Sequence, residues 1–165
     1  MLDRPESAPP STLARDAAGP VALGRLRLAV AAVVDIALHA RPQPVNARLL
    51  AERHGLPPRH LETVLQALVR HGLLKGMRGP RGGYELARER RRISLGDIAR
   101  ATAGDGASEG GTAPPAIAAL AEPVLREAQA AFLAALDTVS VEDLCRRAEA
   151  ASATRTQPAP PQFDI

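Results

Sequence analysis

Residues 47–84 read ARLLAERHGLPPRHLETVLQALVRHGLLKGMRGPRGGY, and the spacing within this stretch decides the fold. Leu50, Ala51 and His54 share one helical face, Gly55 and Leu56 form a corner, and Leu61, Val64, Leu65 and Leu68 recur at helical spacing. Two short helices follow from that pattern. Gly55 suits the left-handed conformation that ends a helix, and Pro57 or Pro58 suits the first turn of the next, where a missing N–H costs little. Ala51, four residues before the corner glycine, and Leu61, six after it, let the two helices cross closely as a helix-turn-helix. The second helix then presents Pro58, Arg59, His60, Glu62, Thr63 and Gln66 in its N-terminal half, the end that enters the major groove in this motif. Such side chains read base edges or hold phosphates.

A hairpin follows at once. Leu73, Leu74 and Met77 lead into the run Arg-Gly-Pro-Arg-Gly-Gly at 78–83, and Tyr84-Glu85-Leu86 alternates as a returning strand. Three glycines and a proline make the turn tight and exposed, with Arg78, Gly79 and Arg81 at its tip, where guanidinium groups suit a narrow minor groove. A phosphate-cradling loop is the other use of such glycines. No Gly-Lys-Ser/Thr ending follows, and the next element reads as a strand, not a helix.

The run HGLPPRHLETVLQALVRHGLLKGMRGPRGGYELA, with ISLGDIARATAG after it and VAAVVDIALHA before it, resembles a family of winged-helix regulators, the Rrf two family. That family includes the bacterial iron-sulfur cluster regulator, the nitric-oxide sensor and the cysteine-metabolism repressor. The resemblance covers about residues 24–147, and the Arg-Gly-x-x-Gly-Gly-Tyr wing is its most specific part. It implies a homodimeric transcription factor, a repressor, on near-palindromic double-stranded DNA. It matches Arg25 and Arg27 to a basic pair that approaches the DNA backbone; a merely solvated pair is the other reading. It puts His60 where tyrosine is common and Leu28 where an aromatic is usual. In the cluster-binding members the loop equivalent to 104–115 supplies three cysteines. Here it has neither cysteine nor histidine, so no iron-sulfur cluster and no other cofactor is expected.

Aromatic residues make up only 2% of the 165, so alanine and leucine must build the core, through close helix packing. The same scarcity argues against single-strand nucleic-acid modules, which need aromatic stacking platforms. The net charge of +3 conceals a division: residues 25–92 carry 14 basic against 5 acidic side chains, and residues 93–165 carry 5 against 10. A basic head on an acidic body suits a duplex binder that pairs through its C-terminal part, although a solvated arginine-rich surface shows the same sign.

The expected architecture is mainly α with a small β-hairpin wing: a winged helix-turn-helix followed by a long dimerisation helix. Residues 1–24 read as a disordered extension without a signal peptide, with a short helix at 13–18 as an option. Residues 25–103 read as the DNA-binding domain, opening on a mostly buried helix at about 25–40. Ser94 and Asp97 make a capping pair for a helix to about Ala103. Residues 104–115 read as a flexible loop and 116–150 as the dimerisation helix with a last short helix at 140–147. Residues 151–165 read as a disordered tail. Ile117, Leu120, Val124, Leu125, Ala128, Phe132 and Leu136 form the dimerisation stripe, with a helix folded back on its own subunit as the alternative. Pro123 either kinks this helix or opens its longer half, and the latter is preferred. No uncharged run is long enough to span a membrane, which points to the cytoplasm.

Cys145 is the sole cysteine and excludes an intrachain disulfide. It reads either as a redox thiol activated by Arg146 and Arg147, or as a small hydrophobe beside Val141 and Leu144. His39, His54, His60 and His71 form no close pair at metal-binding spacing; His54 reads as capping or packing the first motif helix. No metal site and no catalytic constellation stands out. Besides the DNA regulator, two readings remain: a winged-helix module whose basic face binds an acidic protein, and a regulator that senses an unknown small-molecule effector.

Overall fold

Alanine and β-branched side chains give helix α1 (Leu23–His39) a face narrow enough for three helices to share. In the computed structural model, which describes residues 23–55, 57–103 and 115–156, Ala29, Ala32, Val33 and Ile36 of α1 are wholly buried. α1 packs against the third, fourth and sixth helices around this face. The expectations for residues 1–22, 104–114 and 157–165 lie outside the described residues, as does Leu56.

Helix α2 (Ala47–His54) begins where the Asn46 side chain accepts from Arg48 N at 2.8 Å. It ends at Gly55, whose φ of 61° lets its N–H reach back to the carbonyls of Ala51 and Glu52. Helix α3 (Pro58–Arg70) takes Pro58 as a first-turn residue and Pro57 as the cap, which settles the choice the sequence left open. α3 buries Leu61, Val64, Leu65, Ala67 and Leu68.

Strands β1 (Leu74–Met77) and β2 (Gly83–Leu86) pair antiparallel, Leu74 opposite Leu86 and Met77 opposite Gly83. The segment before α2 joins them: Val45 and Tyr84 exchange both backbone hydrogen bonds, at 3.0 and 2.8 Å. Gly83 has to be glycine here, because a Cβ would lie 2.5 Å from the Val45 carbonyl oxygen. The wing is thus tied to the entry of the helix-turn-helix.

Ser94 and Asp97 cap helix α4 (Leu95–Ala103) reciprocally, Asp97 N donating to Ser94 Oγ at 3.0 Å and Ser94 N to Asp97 Oδ2 at 3.2 Å. Ser140 and Asp143 repeat the device for helix α6 (Val141–Thr156), and a backbone bridge sets Ser94 beside Ser140. Between them runs α5 (Pro115–Asp137), about 34 Å long at 1.5 Å per residue. Arg100 donates to both oxygens of Asp137, and Ser94 Oγ adds a third bond at 3.0 Å, locking α4 to the end of α5.

Two boundaries differ from expectation. Pro123 lies inside α5 and does not open a helix; Pro115 occupies the start. The lost hydrogen bond is outweighed by flanking alanines and leucines of high helix propensity. α6 continues to Thr156, so residues 151–156 are helical and not tail; the alanines at 148, 150, 151 and 153 favour continuation.

A buried carboxylate fixes α2 to α1. Asp35, only 8% exposed, accepts from Arg53 Nη1 at 2.7 Å and His54 Nε2 at 3.1 Å, with His39 Nδ1 3.0 Å away on its own helix. His54 thus serves to dock the helix.

Candidate nucleic-acid interface

The apolar stripe of α3 is consumed by the core, which leaves its opposite face to solvent. Arg59, His60, Glu62, Thr63 and Gln66 are all exposed there. Thr63 Oγ1 donates back to the Arg59 carbonyl at 3.2 Å, which leaves the hydroxyl's acceptor capacity unused. The side chains of Arg59, His60, Glu62 and Gln66 have no hydrogen-bond or ionic partner among the described residues. Arg59 and Thr63, and likewise Glu62 and Gln66, are four apart and stack along one strip. Pro58 contributes the helix's opening geometry.

At the hairpin tip Arg78, Gly79 and Arg81 are exposed. Gly79 has φ 109°, a conformation that favours glycine, and its carbonyl accepts from Gly82 N at 2.9 Å. A Cβ on Gly82 would lie 2.4 Å from the Met77 carbonyl oxygen, so the turn admits no bulk there. No carboxylate among the described residues pairs with Arg78 or Arg81. Two uncompensated guanidinium groups on a tight turn are what anionic phosphates or a narrow minor groove attract. At the start of α1, Arg27 is exposed and Arg25 half-buried, its Nε out of contact with solvent.

The stripe on α5 divides. Leu120, Val124 and Leu125 are 79%, 66% and 62% exposed, and Ala128 is exposed beside them. Phe132 and Leu136 instead pack against the core of their own subunit, with Leu133. Ile117 falls on the same helix. Cys145 is 1% exposed, between α6 and the core, and burial pushes its thiol up, with Arg90 opposing. Arg146 and Arg147 are exposed, and Cys145 is buried along with Val141.

Among the described residues no cluster of His, Cys, Asp or Glu could hold a metal ion, and no helix is long and apolar enough to cross a membrane.

Residues 24–147 match the Rrf2 family, described as iron-dependent transcriptional regulators. The chain belongs to the Rrf2 family. Its winged-helix fold is shared by a solved structure, T. potens IscR, at 30% identity and a TM-score of 0.61, over 82% of this chain and 90% of that one. CymR, the global cysteine regulator of B. subtilis, aligns at 27% identity and a TM-score of 0.55, over 74% and 94%. The transcriptional regulator IscR of Xenorhabdus nematophila is 39% identical over 72 residues, 44% of each chain. IscR of Vibrio cholerae is equally similar over 44% of this chain and 42% of its own. The chain therefore matches less than half the length of these curated relatives, which are transcriptional regulators and not enzymes.

The Rrf2 match takes in α1, the helix-turn-helix, the wing, α4, α5 and the first half of α6, and ends before the alanine-rich extension of α6. Sequence reasoning on this Rrf2-family chain did not single out Asp35. An acidic residue inside an otherwise buried helix is itself the signal, since such a charge needs partners.

Proposed function

We propose that the protein is a homodimeric, sequence-specific repressor that binds near-palindromic double-stranded DNA in the cytoplasm. One observation carries this reading: α3 commits its apolar face to the core and leaves Arg59, His60, Glu62 and Gln66 unpartnered on the other. Two such helices, one per subunit, enter successive major grooves about one turn, ~34 Å, apart. The Arg78 and Arg81 wings, with Gly79 shaping the turn, grip the flanking minor grooves, while Arg25 and Arg27 hold backbone phosphates. The exposed Leu120, Val124 and Leu125, continued by Ala128, supply the pairing surface, with Ile117 earlier on the same helix, since an exposed apolar patch of this kind marks an interaction site. Occupancy of the operator is the repressing act.

Iron-sulfur ligation in this family's thiolate mode needs several cysteines, and this chain has one, Cys145, which is buried. The donor set does not fit a cysteine-held cluster. An acidic protein partner explains the basic head less well, because Glu62 stands in the middle of the strip.

Two substitutions separate the roles. Arg78→Ala is expected to weaken operator binding by about 1–3 kcal/mol and to reduce the salt slope by about one charge, uniformly across sequences. Glu62→Ala is expected to change which bases are preferred, since a carboxylate accepts from cytosine N4. Equal weakening of all sequences by Glu62→Ala, read in parallel binding titrations, removes the base-reading role.

A further inference from the structure

A cavity of about 450 Å³ opens between the C-terminal turn of α1 and the segment that leaves the wing. We propose that this cleft binds a small organic anion, a carboxylate or phosphate on a short apolar body. The volume lies in the range of small-ligand sites, roughly 300–1,000 Å³.

Its apolar lining is Ile36, Ala37 and Leu86, and Arg41, Arg88, Arg90 and Arg92 line it as well. What holds these cations matters most. Arg90 Nη2 donates to the Ala37 carbonyl at 2.5 Å, and Arg88 Nε donates to the Gly72 carbonyl at 3.1 Å. Both are steered by neutral main-chain acceptors, which orient a guanidinium without cancelling its charge. The two carboxylates of the lining are engaged by other cations, Glu85 by Lys75 Nζ at 2.9 Å and Glu89 by Arg91 Nε at 2.7 Å. Arg92 reaches Glu89 only at 3.9 Å, and Arg41 has no partner among the described residues. Four arginines thus line a cavity whose two carboxylates are already engaged by other cations. Guanidinium forks match carboxylate and phosphate oxygens two at a time, which gives the ligand its class.

The cleft is distinct from the wing tip. β2 runs from Gly83 at the tip to Leu86 at the cleft, about 10 Å at 3.3 Å per residue. A concave cavity with an apolar wall suits a compact ligand better than a backbone phosphate of a duplex.

The test is the thermal unfolding midpoint of the full chain, without DNA, in 10 mM inorganic phosphate, citrate or benzoate against sodium chloride at equal ionic strength. At least one anion should raise the midpoint by about 3 °C or more, as expected for a ligand near tenfold its Kd. A phosphate response with none from citrate or benzoate marks a phosphorylated ligand; the reverse marks a carboxylate. The rise should vanish in Arg41→Ala/Arg88→Ala and persist in Arg78→Ala/Arg81→Ala. Where the alanine pair unfolds, Arg41→Gln/Arg88→Gln gives the same reading. No rise with any of the three anions overturns the proposal. So does a rise kept by the cleft pair, or one lost in the wing pair, which would place the anion on the wing. Because binding is read without DNA, its failure leaves the repressor reading standing, and the converse holds.

Discussion

The Asp35 carboxylate, buried in α1, accepts from Arg53 and His54 of α2 and so anchors the helix-turn-helix to the core. Asp35→Ala is expected to lower stability by about 2–3 kcal/mol, since it strands an arginine and a histidine at a part-buried junction. Asp35→Asn should cost less, and a urea midpoint unchanged in both would remove the anchor from the account. Asp137 behaves differently with pH. Donation from Arg100 holds its carboxyl below the usual range, with burial opposing and Ser94 assisting. The unfolded chain therefore protonates first as pH falls; the stabilisation is complete above about pH 4 and is lost as pH drops through the lower folded value. After allowance for solvent screening, Asp137→Asn should cost about 1 kcal/mol at pH 7, with the deficit shrinking toward pH 3 in denaturant titrations. A deficit constant with pH would contradict the pairing. These two carboxylates also show where sequence reading stops. Ser94 and Asp97, three residues apart, declare their capping bond locally, whereas Asp35 meets Arg53 18 residues on and Asp137 meets Arg100 37 residues back. Contacts at that separation depend on how helices cross, which periodicity does not specify.

Among the elements, the helix-turn-helix and the wing were legible because their signals are local: Gly55 at φ 61°, Pro58 at the first turn, and Gly79 and Gly82 in a turn without room for side chains. The exposed strip of α3 followed from the same reading, as the complement of its apolar face. α5 was less legible. Its apolar positions recur at helical spacing from end to end, yet Phe132 and Leu136 turn to their own core while Leu120, Val124 and Leu125 stay exposed. Spacing alone does not say which partner a stripe meets. The proposed pairing makes its own prediction at this scale. Leu125→Glu would place a charge in the covered surface and weaken dimerisation by about 3 kcal/mol or more, over 100-fold in Kd. Sedimentation at micromolar concentration should then find monomer where the parent is dimeric. An unchanged dimer mass would mean that α5 is covered in another way.

At the scale of the whole molecule, a basic head of residues 25–92 and an acidic remainder follow the division between the helix-turn-helix with its wing and the α5–α6 body. In the proposed reading the head's charge attracts a duplex, the body's charge keeps the second half of the chain off it, and the exposed α5 surface sets two heads side by side. On that reading selectivity rests on the α3 strip and not on net charge, a separation that salt would expose: phosphate contacts weaken steeply with ionic strength while base preferences persist. The most direct measurement is selection of bound fragments from the source genome by the purified protein, with the affinity of the recovered sites followed from 50 to 200 mM salt. A two-fold related motif, bound by a dimer and losing roughly 10³–10⁵ in affinity over that interval, is the predicted result. Recovery of fragments with no shared sequence, bound weakly and with a shallow salt slope, would contradict it.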